Sequence, residues 1–202
     1  MVRVKICGIM NKEDAVVAVE AGADALGFIL YERSPRYAAP ERVAEIVAVL
    51  PPFVTSIGVF VDAPADRVNQ IAAACRLDAV QLHGDETPEY CDRIDRTVVK
   101  AFRVKDGSWC ETAARYQVRA VLLDACAPDR YGGTGSTFDW DFALNSPHPV
   151  VLSGGLNPDN VAEAIRHVGP LAVDVSSGVE HAPGVKDHDK VQAFIKRAKD
   201  AG

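Results

Sequence analysis

The sequence predicts an α/β fold of eight parallel strands alternating with helices, on three observations. Eight short, nearly continuous apolar runs recur along the 202 residues, starting about 24 residues apart, the length of a strand plus a crossover helix. Amphipathic patterns fill the intervals between them. Hairpin signals between neighbouring runs are missing. Runs without alternation suit strands covered on both faces, as in a parallel sheet. Eight such units close most simply into a single (β/α)8 TIM barrel over residues 1–202, at the short end of its size range. A doubly wound open sheet usually has fewer strands and needs an order reversal that the chain does not display.

Taken in order, the runs are Val2–Cys7, Ala25–Leu30, Ser56–Val61, Ala79–His83, Val98–Phe102, Val121–Asp124, Val150–Ser153 and Ala172–Ser176. Between them, Val43, Ile46, Val47 and Leu50 fall at i, i+3, i+4 and i+7, one apolar stripe. The template returns at Val68/Ile71/Ala72/Cys75, Val161/Ala164/Ile165/Val168 and Val191/Phe194/Ile195/Ala198, which makes Cys75 a packing residue. Helix starts are marked by Asn11, by Pro40-Glu41, by Thr87-Pro88-Glu89 and by Asn157-Pro158-Asp159, each a capping residue, an early proline or first-turn acids. Trp109–Tyr116 and Phe138–Leu144 carry weaker helix patterns.

Charged residues at 25%, hydrophobic ones at 48% and a net charge of −6 suit a globular protein and give no basic footprint for nucleic acid or anionic membranes. No apolar run has the length of a membrane span, and no signal-peptide pattern precedes the first strand. The five cysteines, Cys7, Cys75, Cys91, Cys110 and Cys126, form no C-x-x-C pair and no zinc-spaced cluster with histidine. A reducing cytoplasm and a site without metal are the expectations.

Several runs end in a polar residue next to glycine, and a barrel gathers such ends at one rim, where its active sites lie. Strand alternation puts Lys5 and Cys7 inside and Val4 and Ile6 against the helices. The same parity turns Gln81 with His83, Leu122 with Asp124, and Asp174 with Ser176 toward the interior. Cys7 and Asp124, on strands three apart in the ring, can reach a ligand from different sides, which suits a base and an acid better than a nucleophile–base pair. A base at Cys7 has to be thiolate, and Lys5 and nearby amides are groups able to lower its pKa, but the sequence does not establish its ionisation. Ser153-Gly154-Gly155-Leu156-Asn157-Pro158 leads from strand 7 straight into a helix, and Ser176-Ser177-Gly178-Val179-Glu180 follows strand 8. Two glycine turns at these positions point to phosphate binding. Arg36 in Ser34-Pro35-Arg36-Tyr37 can grip a carboxylate. Tyr131-Gly132-Gly133-Thr134-Gly135-Ser136 suits a mobile lid.

The motifs Lys5-Ile6-Cys7-Gly8-Ile9, Ser34-Pro35-Arg36-Tyr37, Gly58-Val59-Phe60-Val61, Gln81-Leu82-His83-Gly84, Leu122-Leu123-Asp124 and Gly132-Gly133-Thr134-Gly135 are followed by Phe138-Asp139-Trp140, Leu152-Ser153-Gly154-Gly155-Leu156 and Asp174-Val175-Ser176-Ser177-Gly178-Val179-Glu180. Together, and in this order, they resemble the phosphoribosylanthranilate isomerase family of tryptophan biosynthesis over essentially the whole chain. The resemblance implies a (β/α)8 barrel and an Amadori rearrangement of a phosphoribosylated anthranilate, with no metal, nucleotide or flavin. It implies Asp124 as general acid, Cys7 as general base, and Arg36 on the anthranilate carboxylate. Gln81, His83 and Asp174 are expected against the substrate, and Gly154, Gly155, Ser176, Ser177 and Gly178 around its phosphate. The implied state is a cytoplasmic monomer or homodimer, open to association with other enzymes of the pathway. Met10 and Cys126 depart from the family pattern away from the proposed chemistry.

A related lyase such as indole-glycerol-phosphate synthase would be expected to show a catalytic lysine with glutamates at strand ends. Lys5 and Lys100 are candidates for the lysine, but the glutamate partners are missing. A barrel that binds a phosphate ligand without catalysis has no need of Cys7, Asp124 and Arg36 together.

Overall fold

A computed structural model describes residues 1–125 and 137–202, so Cys126 and the glycine loop at 131–136 lie outside the described residues. The strands are β1 (Arg3–Cys7), β2 (Ala25–Ile29), β3 (Thr55–Phe60), β4 (Ala79–Leu82), β5 (Thr97–Val104), β6 (Ala120–Ala125), β7 (Val150–Leu152) and β8 (Ala172–Val175). They close in sequence order into a parallel barrel, with β1 paired to both β2 and β8. The expected fold class is therefore correct.

Parity divides the core in two. Val4, Ile6, Leu26, Val80 and Leu123 are buried on the outer face against the helices. Ala101, Ala120, Leu122, Val151 and Ala172, with Val99, fill the interior as a separate apolar cluster. Its alanines suit a narrow barrel floor, and the charged inward residues stand in the rest of the interior.

The helices are α1 (Lys12–Glu20), α2 (Pro40–Val47), α3 (Ala65–Ala74), α4 (Pro88–Cys91), α5 (Trp109–Ala113), α6 (Val161–Val168) and α7 (His188–Ala201). Asn11 and Thr87 cap α1 and α4 by accepting from the amides of Asp14 and Tyr90, as their positions foretell. The stripes face inward: Val43 and Ile46 of α2 and Val191, Phe194, Ile195 and Ala198 of α7 are all buried. Each large apolar side chain among them contributes about 1.5–3 kcal/mol by leaving water. The short α5 is held by tertiary contacts, since Trp109 donates from Nε1 to the Phe142 carbonyl at 3.0 Å and packs beside Phe102.

Four local expectations need correction. Phe138–Leu144 contains a 3-10 turn, Trp140–Ala143, rather than an α-helix, and Asp139 caps it through Asp141. The helix after β7 begins at Val161, not at Asn157. Asn157 Oδ1 instead accepts from the amides of Asp159 and Asn160, an Asx turn that uses the donors a helix start would leave free. Strand β5 runs two residues further than its apolar run, to Val104, where it pairs with Ala125 of β6. Finally, after β8 come a 3-10 turn (Ser177–Val179) and an antiparallel hairpin, β9 (Glu180–Ala182) and β10 (Val185–Lys186).

Candidate active site

The interior side chains converge on a cavity at the C-terminal ends of the strands. Cys7, Gln81, His83, Asp124 and Asp174 line it, joined by Arg36 from the loop after β2 and Ser176 from the end of β8. The glycine turns adjoin it: Gly154, at φ 77°, lies so close that a side chain there would meet the Ala125 amide and approach Asp124.

Cys7 ends β1 almost fully buried. It fits because the facing position of β2 is Gly27, where an added Cβ would come within 2.8 Å of Cys7 Sγ and 2.9 Å of Lys5 Cε. Burial pushes the Cys7 thiol up. Lys5 pulls against that, Asp174 reinforces it and Lys186 opposes it, and burial prevails. Lys5 does pull the thiol down, as its place on the same strand face allows, but desolvation of a thiolate outweighs the ammoniums of Lys5 and Lys186. Burial likewise works against the charge of Lys5, but Asp174 and Cys7 outweigh it and hold its pKa up.

A directed network crosses the interior. Lys5 Nζ donates to Asp174 Oδ1 and Gln81 Oε1, both at 2.8 Å. Ser153 Oγ donates to Asp174 Oδ2 at 3.1 Å, and Gln81 Nε2 meets His83 Nδ1 at 2.8 Å. His83 Nε2 is 3.3 Å from Asp124 Oδ2. Asp124 Oδ1 accepts from the Ala125 amide at 2.9 Å, which leaves Oδ2 toward the cavity.

Arg36 differs from a solvated loop arginine. It is 8% exposed, and Glu180 takes its Nε and Nη2 at 2.7–3.0 Å. The opposite edge of the guanidinium, Nη1 and the second Nη2 hydrogen, has no hydrogen-bond partner among the described residues. Lys186 binds Glu180 Oε1 at 2.8 Å, the Cys7 carbonyl at 2.6 Å and the Ser176 carbonyl at 3.2 Å. Burial works to raise the Glu180 carboxyl, but Arg36 and Lys186 hold it below the usual range. Glu180 and Lys186 carried no role in the sequence reading. The signal was Pro183-Gly184, a turn pair between them, with Gly184 at φ 83°.

On the side of β7 and β8, Ser176 Oγ is buried with no hydrogen-bond partner, next to the cavity. Gly178 packs its backbone against the preceding loop, where an added Cβ would lie 1.9 Å from the Leu156 carbonyl oxygen. Gly178→Ala will therefore force the two loops apart and cost about 1–3 kcal/mol, measured as a lower urea midpoint. An unchanged midpoint would show that the loops part freely.

The expected site residues Cys7, Arg36, Gln81, His83, Asp124, Asp174 and Ser176 share one cavity, whereas Gly154, Gly155, Ser177 and Gly178 are not among the residues that line it. Among the described residues no group of histidine, cysteine and carboxylate side chains could hold a metal ion, and no helix is long and apolar enough to cross a membrane.

A closed eight-stranded parallel barrel with titratable groups crowded at its mouth defines the class: a (β/α)8-barrel enzyme. The family model described as N-(5′-phosphoribosyl)anthranilate (PRA) isomerase matches residues 4–197. A protein named N-(5′-phosphoribosyl)anthranilate isomerase from Geotalea uraniireducens is 59% identical over 201 residues, covering 98% of this chain and 99% of that one. Crystal structures of the Thermotoga maritima phosphoribosyl anthranilate isomerase superpose with TM-scores of 0.93 and 0.90 at 49% and 46% identity, each covering 99% of this chain and 100% of the other; the second is of monomers generated from the dimeric protein. A phosphoribosyl anthranilate isomerase in complex with reduced 1-(o-carboxyphenylamino)-1-deoxyribulose 5-phosphate superposes with a TM-score of 0.89 at 47% identity, again covering 99% and 100%. The chain belongs to the N-(5′-phosphoribosyl)anthranilate isomerase family.

Proposed function

We propose that the chain converts N-(5′-phosphoribosyl)anthranilate to 1-(2-carboxyphenylamino)-1-deoxyribulose 5-phosphate, with Asp124 as general acid and Cys7 as general base. The observation that carries this reading is the shared cavity: a carboxyl from β6 and a thiol from β1 line it together, with a cationic edge at Arg36. Family membership, and a relative complexed with a reduced form of that product, support the substrate.

In this reading Asp124 gives its proton to the ribose ring oxygen. The C1′–O bond breaks with its electron pair going to that oxygen, and the anilino nitrogen lone pair forms an iminium. The Cys7 thiolate then removes the C2′ proton, whose electron pair makes the C1′=C2′ bond and neutralises the iminium. The resulting enolamine tautomerises to the ketone. Arg36 holds the anthranilate carboxylate, and Gly154, Gly155, Ser176, Ser177 and Gly178 hold the phosphate. The reading also puts the enzyme in the cytoplasm, as a homodimer like the Thermotoga relative and open to association with enzymes of the same pathway.

The test is fluorescence-monitored turnover of freshly prepared phosphoribosylanthranilate with no cofactor added. A folded chain without turnover would overturn the proposal. The pH profile has a definite sign. Because burial raises the Cys7 thiol, the thiolate is a minor species at neutral pH and grows tenfold per pH unit up to the raised pKa. The rate of Cys7 alkylation by iodoacetamide, read by peptide mass spectrometry, will therefore climb through neutrality and beyond the ordinary thiol range. A rate that levels off below about pH 8 would show that Lys5, and not burial, governs the thiol.

A further inference from the structure

The network across the barrel interior has a forced direction. A lysine ammonium has donors and no acceptor, so Lys5 can meet Gln81 only at the amide oxygen, as it does at 2.8 Å. That turns the amide nitrogen toward His83 Nδ1, 2.8 Å away, and an NH2 group there requires Nδ1 to be the unprotonated nitrogen. Flipping Gln81 to suit an Nδ1–H would set its NH2 against the ammonium. Asp174 holds Lys5 in place at 2.8 Å and is itself held by Ser153. The proton of a neutral His83 therefore sits on Nε2. That atom is buried and has no hydrogen-bond partner, although Asp124 Oδ2 is 3.3 Å away, off the line a hydrogen bond requires.

We propose that His83 is a positioning residue for Asp124: a neutral imidazole, locked in the Nε2–H tautomer by Lys5 through Gln81, whose N–H closes on Oδ2 as the Asp124 carboxyl becomes a carboxylate. This rests on the reading of Asp124 as the general acid. A neutral carboxyl oxygen is a weak acceptor and its carboxylate a strong one, so the bond is loose before proton transfer and tightens with it. An interaction made only as charge develops acts on kcat and leaves substrate binding alone. It also gives Gln81 and His83 a task other than touching the substrate, since the Gln81 amide is used at both ends. The charged and titratable groups that line the cavity with the ring are Cys7 from β1, Asp124 from β6, Asp174 from β8, and Tyr31 and Arg36 from the loop after β2; Lys5 acts on it through Gln81. Of these, Asp124 is the charge that approaches Nε2.

The first readout needs no turnover. In 15N-histidine-labelled protein, long-range 15N–1H spectra will show neutral His83 as a single Nε2–H tautomer. In Gln81→Glu the carboxylate can only accept, so Nδ1 will carry a proton. An Nδ1–H tautomer in the unsubstituted protein overturns the lock. The second readout is kinetic, on variants whose urea midpoints confirm folding. His83→Ala will lower kcat on the order of 10²-fold with KM changed less than about twofold, and will cause no further loss in an Asp124→Asn background. A raised KM with kcat intact, or multiplicative losses in the double variant, shows that His83 acts on the substrate and not through Asp124. If the chain fails to turn over phosphoribosylanthranilate at all, the proposed reaction falls while the tautomer result still stands or falls alone.

Discussion

Cys7→Ala and Asp124→Asn will each lower kcat by about 10²–10⁴-fold, the scale at which a positioned base or acid acts, while the reduced product analogue still binds. The two groups line one cavity from β1 and β6, so in the proposed reaction each change removes one proton transfer and leaves Arg36 and Ser176 in place. Calorimetric titration with the analogue separates the effects: affinity retained and turnover lost is the expected pair. Near-wild-type turnover in both variants would falsify the acid–base assignment. Because each proton transfer depends on the other having a substrate to act on, the double variant should lose little more than the worse single one.

Lys5→Met will cost about 3–5 kcal/mol of stability, since it leaves the Asp174 carboxylate buried without its cation. Both side chains are nearly inaccessible, at 5% and 7% exposure, and their 2.8 Å contact lies within the barrel. Ser153 supplies Asp174 with one remaining donor, which cannot replace a full charge. Urea unfolding at pH 7 measures the loss. Combining Lys5→Met with Asp174→Asn should recover much of it, because the stranded charge is then gone. A double variant as unstable as Lys5→Met alone would mean that packing, rather than the unpaired carboxylate, sets the cost.

Much of this architecture was legible in local pattern. Period-2 alternation along β1 is enough to send Val4 and Ile6 to the helices and Lys5 and Cys7 inside, because successive Cβ atoms must point to opposite faces. The helix stripes ending in Phe194 and Ala198 are equally local, as are the caps at Asn11 and Thr87. Short-range competition misled at Asn157, where an Asx turn and a helix start use the same residue types and only the surrounding chain selects between them. The β9–β10 hairpin escaped notice because its strands are three and two residues long, too short for any periodicity to register.

Cys7 marks the boundary between the two kinds of information. Its place at an inward strand end, and Asp124 as a second inward end across the ring, follow from the sequence by itself, together with the barrel that unites them. Its ionisation does not. Whether Lys5 or burial governs the thiol depends on how deeply the closed barrel buries the sulfur and on which groups share Lys5. Those partners are Gln81 and Asp174, 76 and 169 residues away. Likewise, Arg36 becomes a half-occupied clamp only because Glu180, 144 residues on, reaches back to it. Strand parity is decided by the next residue along the chain. Charge balance is decided by neighbours that closure of the barrel alone brings within 3 Å.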